Sequence, residues 1–354
     1  MLKVLRGWIE QHLSDEEAIL FVAILGLFFI IIVTMGAILA PLLTGIVLAY
    51  VMQGVIKIFS RYQVSDSIAV ALTFLLFLGG FVGFLVFVLP GVWRQMQALF
   101  QELPNMIAKI QAMLDKLPQS YPDYISEAQV STWIEMLNSE AGDIGQWILS
   151  FSLSQLPVLA TVLVYMLLIP FLVFFLLKDK DQLLNWCLSF LPDQRPLMNQ
   201  VGREMNLQME NYVRGKFVEL LIVGSVSYFF FTAFGLRYAA LLGFLVGLSV
   251  IVPYLGLIAV SVPVVIIAYM QYGWSESFLY LMLGYTIIQG IDGMVIVPLL
   301  FSEAVNLHPI AIIIAVLVFG SWWGLWGVFF AIPLATLVKA IMTAWPSNQP
   351  VVQE

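Results

Sequence analysis

The chain is divided into long stretches that carry no charge, and few folds tolerate that pattern. Ala18 to Ile56, Ser67 to Trp93, Ile144 to Leu177, Leu220 to Leu236 and Tyr238 to Ser275 contain no Asp, Glu, Lys or Arg. Ser277 to Ser302 contains one, Asp292, and Ala304 to Val338 is again free of them. A helix crosses the hydrocarbon core of a bilayer with about 20 apolar residues. Only helices and closed barrels satisfy their backbone there, and these runs are far longer than barrel strands. Charged residues are 10% of the chain and hydrophobic ones 61%, whereas a soluble domain is about 25% charged. The expected fold class is therefore all-α, a polytopic transmembrane helical bundle with about eight spans.

Pro41 divides the first stretch into segments near Ala18–Ala40 and Leu42–Phe59. Ser14 and Glu17 are spaced as a capping box ahead of them. The run is too long for a signal peptide core and reads as a retained span. The third span ends near Pro90–Gly91, and the fourth contains Pro157 and Pro170. The fifth is entered from Arg214–Lys216. Tyr238–Ser275 is interrupted at Pro253-Tyr254-Leu255-Gly256, so it is either one kinked span or a re-entrant hairpin. The expected division is 1–93 (first spans), 94–148 (an extracytoplasmic amphipathic helical segment), 149–177 (one span), 178–216 (a cytoplasmic helical segment), 217–345 (a transmembrane core) and 346–354 (a polar tail).

Lysine and arginine set the expected orientation. Lys3 and Arg6 precede the first span, Lys57 and Arg61 follow the second, and Lys178 to Lys216 supplies a basic segment between the fourth and fifth. These three regions and the N-terminus fall on the cytoplasmic side. Acidic residues outnumber basic ones in Arg94–Asp143, which falls outside. There Leu99, Leu103, Ile107, Ile110, Leu114 and Leu117 form a helical stripe, which reads as a cap packed on its own spans or on neighbouring subunits. Leu197, Val201, Met205, Gln208 and Tyr212 form another, expected to run as one helix into the fifth span.

A net charge of −7 without a basic stripe gives no expectation of nucleic acid. The chain has one cysteine, Cys187, read as an apolar filler. There is no Walker loop, dinucleotide fingerprint or zinc-protease motif, so neither an enzyme nor a cofactor is expected.

The informative residues are polar or helix-breaking groups within apolar stretches. Asp292 would cost about 2.5–3.5 kcal/mol at a span's centre. With Gln289 and Gly293 one turn away and Pro298 following, it reads as a site for a proton, a cation or a polar solute group, or as a neutral carboxyl bonded to a neighbouring helix. Pro253, Tyr254 and Gly256 mark unwound backbone, which survives at membrane depth only when buried in protein or lining a wet cavity. Glu303, Asn306 and His308 form a polar cluster that reads as a surface loop or a titrating mouth. Arg214, Gly215 and Glu219 read as a structural or gating group at the start of the fifth span, Glu219 with Arg214 and Lys216 also as an interfacial ion network. Gly79/Gly83, Gly243/Gly247 and Gly320/Gly324 have small-xxx-small spacing for close helix packing. Trp322, Trp323 and Trp326 read as packing or interface anchors.

A series of short motifs carries a likeness. These are Ile169-Pro-Phe-Leu-Val-Phe-Phe-Leu-Leu-Lys-Asp179, Asn211-Tyr-Val-Arg-Gly-Lys216, Ile251-Val-Pro-Tyr-Leu-Gly256, Val297-Pro298, Asn306-Leu-His-Pro309, Gly324-Leu-Trp-Gly327 and Ala331-Ile-Pro-Leu334. In this order they resemble the autoinducer-2 exporter family of bacterial permeases, most densely from Leu167 to Trp345. The resemblance implies a multi-pass protein of the bacterial inner membrane that exports a small polar solute, with sodium/proton antiport as the activity of some members. It also implies a homo-oligomer such as a pentamer. The expected function is secondary transport, with protons or sodium as coupling ions. The alternatives are a monovalent cation/proton antiporter and a non-transporting scaffold whose outer cap binds a partner.

Overall fold

The structure is a computed structural model that describes residues 16–120, 122–153, 155–301 and 307–344. Lys3, Arg6, Ser14, Glu303, Asn306 and the 346–354 tail lie outside the described residues. Those described form helices and turns, with no strand among them. We label the helices α1 (Glu16–Arg61), α2 (Asp66–Gly83), α3 (Leu89–Leu114), α4 (Glu127–Leu153), α5 (Gln155–Lys178), α6 (Lys180–Leu188), α7 (Pro196–Ala233), α8 (Ala239–Ser249), α9 (Leu255–Tyr272), α10 (Glu276–Ile291), α11 (Val297–Phe301), α12 (Pro309–Phe329) and α13 (Ala331–Ala344). Among the described residues, eight helical stretches are long and apolar enough to cross a membrane. Large apolar side chains such as Ile38, Phe87, Leu167 and Leu299 are left exposed, as a lipid-facing surface requires.

α7 organises the bundle. Its first turn is set by Pro196, whose missing N–H costs nothing at that position. The carboxylate of Glu17 accepts the N–H groups of Leu197 (3.2 Å) and Met198 (2.8 Å), capping the helix. The helix then runs without interruption into its apolar half, as the stripe from Leu197 to Tyr212 predicts. The expected boundary at 216/217 falls in its middle.

α1 is helical straight through Pro41, where the sequence suggested a break. Its halves nevertheless separate. Glu17 meets the start of α7, whereas Tyr50 bonds Asn206 and Gly54 abuts the Arg214 side chain. In a straight helix Glu17 and Gly54 would stand about 55 Å apart, yet Met198 and Arg214 are only about 24 Å apart along α7. α1 must bend by about a right angle or more, in the stretch holding Gly36 and Pro41, the kind of site where helices kink. Glu17–Gly36 and Ile38–Arg61 are then two separate candidate spans.

Pro90–Gly91 does not end the third span either. A π-turn, Phe84–Val88, joins α2 to α3, and Leu89 donates to the carbonyl of Phe84 five residues back. Pro90 has no N–H and would crowd the preceding turn, so the extra residue of the π-turn absorbs the mismatch. The helix continues to Leu114, and α3 packs on the core formed by α8 and α9 through Leu99 and Met106. That much of the outer cap rests on its own spans.

The two readings left open for Tyr238–Ser275 resolve to a helical hairpin. At its base Gln271 accepts from Arg237 N–H (2.7 Å) and donates to Gly235 O (2.8 Å), and Tyr272 bonds Phe234 O. The start of α8 thus sits beside the end of α9, with the turn at Val250–Tyr254. α8 packs antiparallel on α7, where Gly243 meets the Tyr228 backbone and Gly247 meets Gly224. Gly243/Gly247 therefore acts as the spacing predicts. Gly79 and Gly83 face open space in this chain.

Gly320/Gly324 is corrected. Gly324 has φ 59° and ψ −136°, which no regular helix contains, so it breaks α12 instead of packing it. The last apolar stretch is a second hairpin, not a single span. A Cβ on Gly327 would lie 1.8 Å from Phe319 O, so the returning arm passes directly beneath the outgoing one. Trp323 and Trp326 both stack on Phe330, the packing role expected of them. α13 descends along α7 from Phe329, whose carbonyl accepts from Tyr212 (2.8 Å), to Ala340 beside Leu197 and Val201. The two hairpin turns thus approach the middle of α7 from opposite ends.

Glycine packing should be position-specific. A Cβ on Gly243 would lie 2.7 Å from Tyr228 Cα, whereas one on Gly202 meets nothing within 4 Å. Gly243→Ala should destabilise by about 1–3 kcal/mol, and Gly202→Ala should be neutral or slightly stabilising. Denaturant unfolding in detergent micelles measures both.

Candidate functional site

Three side chains of α7, Tyr212, Lys216 and Glu219, share one face at i, i+4 and i+7. They form one wall of a cavity of about 270 Å³. The turn of the first hairpin forms the second wall, from Ser249 to Tyr254. Gln289, Asp292 and Gly293, where α10 gives way to α11, form the third, and Ile312 and Ile332 of the second hairpin close it.

Local sequence explains each wall. Gly256 folds so tightly under Ser249 that a Cβ would lie 1.9 Å from the Ser249 carbonyl oxygen. Leu255 N–H bonds Pro253 O at 2.6 Å across Tyr254, which is held at φ 61° and ψ −50°. This is a γ-turn of the rare positive-φ kind, a conformation costly for a non-glycine residue. Tyr254 is 55% exposed at the cavity mouth. At the third wall, residues Asp292–Ile296 form a second π-turn, and Val297 donates to Asp292 O. As at Pro90, a proline follows two residues later. Pro298 does not line the cavity, and it accounts for the π-turn that carries Asp292.

Lys216 is the electrostatic centre. It is 8% exposed and Glu219 is 2% exposed. Its ammonium donates to Glu219 Oε2 at 2.8 Å and to the Val250 carbonyl at 2.9 Å, and lies 5.0 Å from the centre of the Phe301 ring. One cation thus meets a carboxylate, a carbonyl freed by the helix break and an aromatic face. Phe301 reaches this position because Gly215 has no side chain; a Cβ there would come within 2.6 Å of the ring. Asp292 Oδ1 and Gln289 Nε2 are buried and have no hydrogen-bond partner among the described residues. An acceptor and a donor one turn apart therefore face the cavity, able to hold a polar group or a cation.

Of the residues singled out from sequence, Pro253, Tyr254, Gln289, Asp292 and Glu219 line this cavity, while Gly256, Gly215 and Pro298 shape it. Arg214 lies elsewhere. It and Lys57 both pair with the buried Glu210. His308 is exposed and caps α12, its Nδ1 accepting from Ile310 N–H at 3.3 Å. Sequence reasoning missed Lys216 and Tyr212 as site residues, although their spacing with Glu219 on one face would have found them.

The chain matches the family described as "AI-2E family transporter" over residues 19–347. It is 42% identical over 349 residues, 99% of each chain, to the protein of Escherichia coli (strain K12) named "Putative permease PerM". It is 26% identical over 317 residues, 87% of this chain and 84% of the other, to "Putative transport protein YueF" of Bacillus subtilis (strain 168). The archaeal "Putative transport protein MJ1177" of Methanocaldococcus jannaschii is 24% identical over 164 residues, 44% of this chain and 47% of the other.

The buried pair should show strong coupling. Lys216→Met leaves Glu219 without its partner and should cost about 3–5 kcal/mol, whereas Lys216→Met/Glu219→Met should recover much of the loss. Unfolding of the three proteins in the same detergent measures the coupling.

Proposed function

We propose that this chain, which belongs to the AI-2E transporter family, moves a small polar solute through the cavity between its two hairpins. The family and the apolar helices make it a multi-pass membrane transport protein. The finer reading rests on one observation: Asp292, whose buried Oδ1 has no partner among the described residues, faces the same cavity as a buried lysine clamped to an interrupted helix.

Interrupted helices in transporters present freed backbone groups to the solute. Here Lys216 already occupies the Val250 carbonyl, so the solute would meet the Asp292 and Gln289 pair, with Tyr254 at the mouth. Two carboxylates, Glu219 and Asp292, face one ammonium. The cavity therefore has room for one further positive charge, a proton or a sodium ion, and this supports coupling to an ion gradient. By the same charge count, monovalent cation/proton antiport is the second reading. Family resemblance makes autoinducer-2 the first solute to test and export the expected direction.

The protein would reside in the bacterial inner membrane with the N-terminus and the Lys57–Arg61 and Lys178–Arg214 regions in the cytoplasm, Lys216 being the first of these basic residues to lie within the bundle. A homo-oligomer, such as a pentamer, is part of the same proposal. The open glycine face at Gly79 and Gly83 supports it, because such faces let helices of neighbouring subunits approach.

The test is flux in proteoliposomes under an imposed proton or sodium gradient. Autoinducer-2 efflux should depend on the gradient, and Asp292→Asn should reduce it at least tenfold while leaving unfolding unchanged within about 0.5 kcal/mol. Gradient-driven proton movement without solute, lost in the same variant, would favour antiport. Wild-type flux of neither kind, or full activity in Asp292→Asn, defeats the reading.

A further inference from the structure

A second cleft, of about 300 Å³, lies away from the first, between α1, α5, α6 and α7. Its apolar lining includes Leu176, Leu183 and Leu184, the last two exposed, and its polar lining includes Lys57 and Lys180. The one carboxylate in it, Glu210, is buried and takes Arg214 as well as Lys57, so it is more than neutralised from within. The Lys57 side chain remains 58% exposed, and Lys180 is exposed with no ion pair among the described residues. Asp179 and Asp181 flank Lys180 in sequence but do not line the cleft. The net charge offered to a ligand is positive.

The position of α6 says what covers this cleft. The helix begins immediately after the fourth span ends at Lys178, and its nine residues are too few to cross a bilayer. Trp186 is 62% exposed and Phe190, just past its end, is 71% exposed, with the rings edge to face at 5.0 Å. Exposed aromatics next to the end of a span belong at the headgroup level. With Trp186 and Phe190 at that level, exposed Leu183 and Leu184 border the exposed surface of α5 at Phe171 and Phe175, and Lys57 and Lys180 would lie level with phosphates.

We infer that this cleft binds one anionic phospholipid from the surrounding leaflet. Its phosphate lies between Lys57 and Lys180, and an acyl chain lies along Leu176, Leu183 and Leu184. Basic pockets between transmembrane helices at this level hold lipid headgroups. This site does not depend on the transport reading.

Cys187 lines the cleft, is exposed and is the one cysteine of the chain, so it reports occupancy without engineering. The full chain is placed in nanodiscs of phosphatidylcholine with or without phosphatidylglycerol, and alkylation of Cys187 by a neutral maleimide is timed. Native mass spectrometry counts retained lipid. Phosphatidylglycerol should slow alkylation about tenfold, and one molecule per chain should survive delipidation. Lys180→Glu, at an exposed position, should abolish both effects without changing the unfolding midpoint. Leu184→Trp, which narrows the apolar lining, should lower retention even if the midpoint also moves. Equal alkylation in both lipids, or unchanged retention in Lys180→Glu, overturns the inference. So does equal protection by soluble glycerol phosphate, which would mean a phosphate site without lipid. Protection that grows with protein concentration would mean a second copy covers the cleft, and also overturns it.

Discussion

The ammonium of Lys216 holds the centre of this structure together. A lysine and a glutamate buried among apolar side chains are stable only as a pair with their remaining donors and acceptors satisfied. Glu219 supplies the opposite charge from the same helix. Val250 supplies a carbonyl that exists as a free acceptor only because α8 ends there. The helix break and the buried charge thus satisfy each other. Without the break Lys216 would lose its second acceptor, and without Lys216 the Val250 carbonyl would face the cavity with no donor from α7. One turn earlier on α7, Tyr212 does the same for Phe329 at the second hairpin. Two successive positions on one helix face therefore fasten both interruptions.

The prolines follow a related logic. Pro90 and Pro298 each come two residues after a π-turn, and in both cases the residue before the proline donates back five positions. The helix keeps its course while its side-chain register shifts by one residue. At Phe84–Val88 the shift has no polar consequence. At Asp292–Ile296 it starts on the one charged residue of an otherwise apolar span. It places that residue toward the cavity together with Gln289.

Much of the fold was legible because lipid imposes simple requirements. Charge-free runs marked the spans, the Leu197–Tyr212 stripe announced that α7 continues into the membrane, and Pro253 with Gly256 marked a break. What was not legible depended on partners remote in sequence. Gly324 looks like half of a packing motif until the returning arm is seen beneath it. Lys216 resembles the positive charges that flank spans, and its burial shows only when Val250 is brought against it from 34 residues away. His308 and Asp292 both stood out as polar groups between apolar runs, but the first is exposed and caps α12, away from the cavity that Asp292 lines. Arg214 and Glu219 look like neighbours in one network, yet they form two separate pairs along α7, Arg214 with Glu210 and Glu219 with Lys216.

On the proposed reading, the contacts also say which part of the first hairpin moves. Its base is fastened by the Gln271 amide to two backbone groups and by Tyr272 to a third, and its first arm lies glycine to glycine on α7. Separating that surface would open a close-packed interface along its whole length. The tip is joined to α7 by one charge-assisted bond, worth about 1.5–3 kcal/mol, and already carries the strained conformation of Tyr254, worth about 1–3 kcal/mol against it. The two terms are of similar size and opposite sign, so on the proposed reading the tip is where a solute or proton would shift the balance between two positions. A charge arriving at Asp292 shares a cavity with Lys216, and weakening the hold of Lys216 on Val250 would release the strained turn. Coupling between ion and gate then needs no long pathway, because the carboxylate, the lysine and the turn enclose the same cavity.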